Sequence, residues 1–350
     1  TGNIVGVAAA LVSGGPGALV WMELAAFLGL AAKFAECMLA VKYRRVRRDG
    51  TRWGGPMAVM ETRLGPAGAV CGRFYALFAL LMAFAMGAMA QSGALADTFS
   101  AAFTLPRWRV GLVTAALALT ILLGGIRRIA EISTVLVPVM ALLYLGGGLA
   151  VILGNLRRLP EAVTLMLRCA VAPEAALGGA LGIVTRREAL RWGVARSVFS
   201  NEAGLGSAAI TAACADTEEP VKQGLISMTG VFFDTMVICT VTGLAICCSG
   251  TLGTADGAGR PLTGAALTLR AFETVLGPLA PWLIGVALGL FAFTSVLGCA
   301  VQAETTASYL LGPEAVRPCR VLYGLAVFAG AVIPMATVLQ LADLANALMA

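Results

Sequence analysis

The chain has 350 residues, of which 59% are hydrophobic and 13% charged, with a formal net charge of +6 and no histidine. Soluble domains carry about 25% charged residues, so this composition and a mean hydropathy of +0.88 exclude an ordinary soluble domain. Without histidine, a His-based nucleophilic triad and a His-liganded metal centre are also excluded.

In chain order, apolar runs of about 20 residues, punctuated by Gly, Pro and charge, predict an all-α polytopic membrane protein. A partial span over about 1–12 ends at Ser13-Gly14-Gly15-Pro16-Gly17. Eight complete spans follow at about 18–43, 73–99, 108–124, 130–154, 176–214, 223–250, 279–311 and 319–347, the fifth of them interrupted. Loop charge orients them. Lys42, Arg44, Arg45, Arg47, Arg48, Arg52 and Arg63 fall in one loop, whereas the loop Ser13–Gly17 has no basic residue. The basic loop is therefore cytoplasmic, together with Arg127, Arg128, Arg317 and Arg320. Arg157, Arg158 and Arg168 fall outside, against the trend. This pattern assigns the positive charge to orientation in a lipid bilayer, with no nucleic-acid partner. The nine cysteines are scattered, mostly within apolar runs, and no CxxC occurs, so they read as small buried hydrophobes.

Residues 200–207 read Ser-Asn-Glu-Ala-Gly-Leu-Gly-Ser inside the fifth span. Bare backbone and polar side chains at membrane depth survive only when buried in protein or lining a cavity. Thr1-Gly2-Asn3 with Gly6 is a second polar, Gly-interrupted segment about 200 residues earlier. By loop charge the first segment runs outward and the second inward, the pattern of an inverted repeat with a midplane site. The expected division is a first repeat at 1–155 and a second at 176–350.

At a helix break the freed N–H groups suit a carboxylate and the freed C=O groups suit an ammonium or a sodium ion. Gly2, Gly204 and Gly206 allow a ligand close to the backbone; the alternative is that they are helix-packing contacts. Gln91 is a single amide in a small-residue stripe with Gly87 and Ala94, open also to a plain interhelical hydrogen bond. Thr294 and Ser295 offer adjacent hydroxyls, or simply bond the preceding turn. Phe199 either covers a ligand or packs the core. Oxygen ligands without a carboxylate cage suit a monovalent cation rather than Ca²⁺ or Mg²⁺. Glu202 and Asp234 are intramembrane carboxylates, costly unless paired or functional. Arg196 is the expected partner of Glu202, and Lys33 and Glu36, three apart, are an expected structural pair.

Several stretches carry a specific resemblance. Arg191-Trp192-Gly193-Val194-Ala195-Arg196 and Phe199 to Ser207 resemble the sodium:alanine (alanine/glycine:cation) symporter family. So do Thr1-Gly2-Asn3-Ile4, Gly14-Gly15-Pro16-Gly17, Lys33-Phe34-Ala35-Glu36, Ala40 to Arg44, Gly54-Gly55-Pro56-Met57, Asp234-Thr235 and Ser295 to Gly298. The resemblance implies a LeuT-like 5+5 inverted-repeat helical bundle in the plasma membrane. It implies Na⁺ as coupling ion, a small neutral amino acid as substrate, and no other cofactor. It also implies a fragment, incomplete at both ends: one span and half of the next before Thr1, and a last span after Ala350. Residue chemistry and resemblance together assign substrate contacts to Thr1, Gly2, Asn3, Gln91, Phe199, Gly204, Gly206, Ser295 and Cys299. Cation contacts fall to Asn3, Asn201, Thr294 and Ser295. Three positions depart from the family pattern: Cys299 stands where a Trp is usual, Ser197 where a Gly is, and Ala209 where a Pro is. The missing indole at Cys299 enlarges or reshapes the pocket. The charges over Thr185-Arg186-Arg187-Glu188 put the start of the interrupted span nearer the outer surface.

The expected activity is sodium-coupled symport by alternating access, without covalent chemistry. Proton coupling, another LeuT-fold amino-acid transporter and a passive channel are the rival readings. A membrane-embedded enzyme is disfavoured, because a Ser nucleophile at 200–207 would need a Lys that the segment lacks.

Overall fold

The computed structural model describes residues 2–47, 50–171, 174–176, 183–255, 257, 259 and 261–349. A π-helical turn, Gly2–Gly6, leads into α1 (Val7–Gly14), and α2 (Gly17–Lys42) returns across the membrane. The strands β1 (Arg45–Val46) and β2 (Arg52–Trp53) form a small antiparallel hairpin with Arg45 opposite Trp53. Next, α3 (Pro56–Met82), a π-helical segment at Ala83–Ala90 and α4 (Gln91–Phe103) make one rod, kinked at Gly65 before Pro66. Then come α5 (Arg107–Leu122), α6 (Gly125–Gly154) and the short α7 (Leu159–Val171). A second hairpin pairs β3 (Glu174–Ala176) with β4 (Ile183–Thr185).

The interrupted span is α8 (Arg186–Asn201) and α9 (Ser207–Ala213). After it, α10 (Pro220–Val231), a π-helical segment at Phe232–Cys239 and α11 (Thr240–Ser249) form another rod. The chain ends with α12 (Gly264–Leu276), α13 (Ala280–Leu311), α14 (Val316–Val332) and α15 (Met335–Met349). At 32 residues α13 is about 48 Å long, enough to cross a bilayer at a tilt.

Among the described residues, six helical rods are long and apolar enough to span a membrane. Large apolar side chains stand outward on them, such as Leu28, Leu142 and Leu322, exposed by 73%, 74% and 57%. In water such a surface would be a liability; in lipid it is the matching face. The interior relies instead on small residues and a few large anchors. One core gathers Ile4, Leu11, Tyr144, Phe272 and Phe291; a second gathers Cys299, Ala303 and Tyr323. The Tyr144 and Thr242 hydroxyls bond across the first core at 2.7 Å.

Several elements refine the sequence reading. The single span expected at 319–347 is two helices, α14 and α15, because Pro334 offers no N–H and holds Ile333 extended. The long basic loop is shorter, since α3 already starts at Pro56, a favoured first helical residue. The short helices α7 and α12 fold where the sequence pattern predicts loop. The start of α8 follows its charges: Thr185 and Glu188 form a capping box at an exposed helix start.

Candidate functional site

Among the described residues, three π-helical stretches, 2–6, 83–90 and 232–239, adjoin otherwise regular helices. Such bulges disturb the i→i−4 ladder and frequently mark functional sites. The first holds Asn3, the second ends beside Gln91, and the third holds Asp234. They face the end of α8, where the helix itself stops.

Asn3, Ser200 and Asp234 meet there. Asn3 Nδ2 donates to Asp234 Oδ1 at 2.6 Å. Ser200 Oγ stands 2.7 Å from Asn3 Oδ1 and 2.9 Å from Asp234 Oδ2. A serine has one hydroxyl proton, so one donor serves two acceptors. The junction is therefore rich in oxygen lone pairs, which a small hard cation can take up. Among the described residues no three of His, Cys, Asp and Glu gather to hold a metal ion. Gly2 makes the approach possible: a Cβ there would lie 3.0 Å from Ser200 Cα.

The break between α8 and α9 is built by its own sequence. Glu202 takes a left-handed conformation, φ 53°, and Gly204 and Gly206 follow at φ 90° and 71°. Such angles are easy only for glycine. Asn201 Oδ1 accepts the Ala203 N–H at 2.9 Å and its Nδ2 donates to Ser197 Oγ at 3.2 Å, so both ends of the amide hold the turn. Tyr75 donates to the Leu205 carbonyl at 3.0 Å.

Helix α2 grips both sides of this break. Lys33 Nζ donates to the Asn201 carbonyl at 2.6 Å, a cation at the C-terminal end of α8. Glu36, one turn further on, lies against the backbone N–H groups of Gly204 and Gly206. Lys33 and Glu36 stay close enough to interact electrostatically, and each adds a charge-to-backbone contact, because the interrupted helix presents unpaired carbonyls and amides that both groups can satisfy. The expected Arg196–Glu202 pair is replaced. The left-handed turn at Glu202 sends its carboxylate to Ser207 Oγ at 2.5 Å and Gln302 Nε2 at 3.2 Å. Arg196 instead pairs with Asp343 of α15 at 2.9 Å and lies over the rings of Trp192 and Phe199.

Of the other site residues, Thr1 lies outside the described residues. Gln91 and Phe199 are buried, Phe199 beneath Arg196 with Met86 and Ala342 around it. Thr294 donates to the Leu290 carbonyl at 2.9 Å and Ser295 to the Phe291 carbonyl at 2.9 Å, which leaves their lone pairs as the free valence. Among the described residues no hydrogen bond joins either hydroxyl to the Asn3–Ser200–Asp234 junction. Cys299 is buried against the second π-helical stretch; a Cβ on Gly87 would reach 2.8 Å from its sulfur. Tyr75 and Gln302 have no local signal in the sequence, and Ser200 stands out there only as the first residue of the polar break, without a ligand role. Asp234 was visible only as an intramembrane carboxylate, without its partners.

A cavity of about 660 Å³ opens on the face opposite the basic loops, lined by α1, α4, α8, α12 and α15. Arg196 and Asp343 stand in its wall. A small cavity of about 20 Å³ shares Val5, Ala9, Arg196, Met335 and Leu339 with it and adds Gly6, Ala90 and Phe199. The ion pair and Phe199 therefore separate an outer vestibule from the level of the helix breaks.

Comparison with known proteins agrees with this architecture. Residues 1–350 match the family described as "Sodium:alanine symporter family". The chain is 43% identical over its whole length to an uncharacterised transporter of Haemophilus influenzae, covering 75% of that protein. It is 39% identical over its whole length to the sodium/alanine symporter AgcS of Methanococcus maripaludis, covering 76% of it. Over 89% of its length it is 38% identical to the probable sodium/glutamine symporter GlnT of Bacillus subtilis, covering 62% of that protein. A predominantly helical chain with six apolar rods among its described residues, matched from end to end, is a multi-pass integral membrane protein and belongs to the sodium:alanine symporter family.

Proposed function

We propose that the protein couples inward movement of Na⁺ to uptake of a small neutral amino acid, alanine foremost, across the plasma membrane. The observation that carries this reading is the junction of Asn3, Ser200 and Asp234. It joins two interrupted helices at membrane depth and offers more oxygen acceptors than protons. Na⁺ binds there as co-substrate, held by Asn3 Oδ1, Ser200 Oγ and the Asp234 carboxylate. The lone pairs of Thr294 and Ser295 are a second set of oxygens for it, and Asn201 acts by keeping the break open. The amino acid lies between the two breaks, bounded by Gly2, Gln91, Phe199 and the loop from Gly204 to Gly206. Its carboxylate takes the freed N–H groups and its ammonium the freed carbonyls.

The chain divides into two inverted repeats, 1–155 and 176–350, in a LeuT-like 5+5 arrangement. The contact of Gly2 with Ser200 supports this, because it brings an outward-running and an inward-running broken helix together. Alternating access then rocks one set of helices against the other, with Arg196–Asp343 closing the outer path. The small side chain at Cys299 and the sodium/glutamine relative favour a second, larger substrate such as glutamine.

The test is uptake of labelled alanine by proteoliposomes of the full-length protein under an inward Na⁺ gradient, with glycine, serine and glutamine as competitors. Uptake well above the K⁺-only control is expected. Equal uptake with and without the Na⁺ gradient would sink the coupling.

A further inference from the structure

The inner face holds an arginine cluster that the transport site does not use. Arg45, Arg47 and Arg73 line one cavity of about 330 Å³, with Trp53, Tyr309 and Glu61 in its wall. Glu61 pairs with Arg45 at 3.2 Å, and Arg47 donates to Ser308 Oγ at 2.7 Å. Both Arg45 and Arg47 lie over the Trp53 ring, at 5.7 and 5.6 Å. Among the described residues no carboxylate pairs with Arg47 or Arg73. Three guanidiniums thus share the cavity with one carboxylate.

Arg73 has an unusual setting. It lies on α3 just past the Gly65–Pro66 kink, on the same helical face as Val70, Phe74, Leu77 and Leu81. These four are exposed by 52%, 59%, 44% and 49%, a stripe that faces lipid. A bare guanidinium on such a stripe is costly unless it reaches the interface and finds an anion. The preference for positive charge inside accounts for the side on which these arginines stand. It does not account for their convergence at the end of an apolar stripe, beside a Trp and a Tyr of the kind that settles at headgroup level.

We propose that this cavity binds the phosphate of an anionic phospholipid of the inner leaflet, with an acyl chain along the Val70–Leu81 stripe. Planar guanidiniums match phosphate geometry, and basic pockets on the cytoplasmic side are the chemistry that selects such headgroups. The lipid would tie the β1–β2 hairpin, which follows α2, to α3 and the end of α13. The proposal stands whether or not the transport reading does.

The test is native mass spectrometry of the full-length protein released from bilayers of equal phosphatidylglycerol and phosphatidylcholine. The wild type is expected to retain phosphatidylglycerol with about tenfold preference or more. In R73Q and in R47Q/R73Q the preference should fall toward one, while excess inorganic phosphate leaves the wild-type preference intact. No preference in the wild type overturns the proposal even if the variants fail to fold. A preference unchanged in folded variants overturns it as well. Displacement by inorganic phosphate would mark a soluble-phosphate site and overturn the lipid assignment.

Discussion

At the Asn3–Ser200–Asp234 junction one hydroxyl proton faces two acceptors, and this imbalance is what a cation would relieve. Each hydrogen bond or ligand made to a charged group contributes about 1.5–3 kcal/mol, roughly a factor of 10 to 100 in an equilibrium constant. Ser200→Ala and Asp234→Asn are therefore expected to raise the Na⁺ concentration for half-maximal alanine uptake about tenfold or more, read by Na⁺ titration in proteoliposomes. An unchanged Na⁺ requirement in both variants would remove the junction from the cation path. The sequence made these residue types visible but not their meeting. Asn3 and Ser200 are 197 positions apart, and Asn3 and Asp234 are 231 apart. Such pairs come from packing, here from the bare Gly2 backbone pressed on Ser200, which no local pattern encodes. Thr294 and Ser295 combine both readings. The resemblance implies cation ligands, and in this conformation both hydroxyl protons serve the preceding turn while the oxygen lone pairs stay available.

Among the elements, α2 has the clearest mechanical part. Lys33 and Glu36 hold opposite sides of the α8–α9 break, so α2 and the broken helix are one body at that level. Lys33→Met leaves the Asn201 carbonyl without its partner and the Glu36 carboxylate without a nearby cation. A loss of about 1–3 kcal/mol follows, seen as a lower melting temperature in detergent. Lys33→Met with Glu36→Gln should cost less than the sum of the two single changes, because the second removes the carboxylate stranded by the first. Strict additivity would mean the two charges do not act together. Most long elements were legible, since apolar runs and loop charge fix spans and direction in lipid. The misses have physical causes. The helices α7 and α12 carry too few apolar residues for a span and look like loop until they pack. The π-helical stretch at 83–90 has no sequence signature, since it is simply apolar. The break between α14 and α15 was signalled by Pro334 and overridden by the hydrophobicity around it.

For the whole molecule, the outer vestibule, the Arg196–Asp343 pair and the buried junction below them form a sequence from one face to the midplane. Cys239 is a natural reporter of that path: it is fully buried, and its sulfur lies 3.7 Å from Ser200 Oγ. Asp343→Asn should speed alkylation of Cys239 by a membrane-impermeant maleimide, followed by peptide mass spectrometry, and Na⁺ with alanine should slow it again. Labelling indifferent to both would show that the pair does not guard the site. Reciprocity is the deepest consequence of symport, because two ligands that favour each other must do so equally in binding. The most direct measurement is therefore simultaneous ²²Na⁺ and labelled-alanine influx into proteoliposomes of the full-length protein. Alanine should accelerate Na⁺ entry and Na⁺ should accelerate alanine entry, in a fixed ratio across concentrations. Alanine entry without any alanine-dependent Na⁺ entry would contradict sodium-coupled symport.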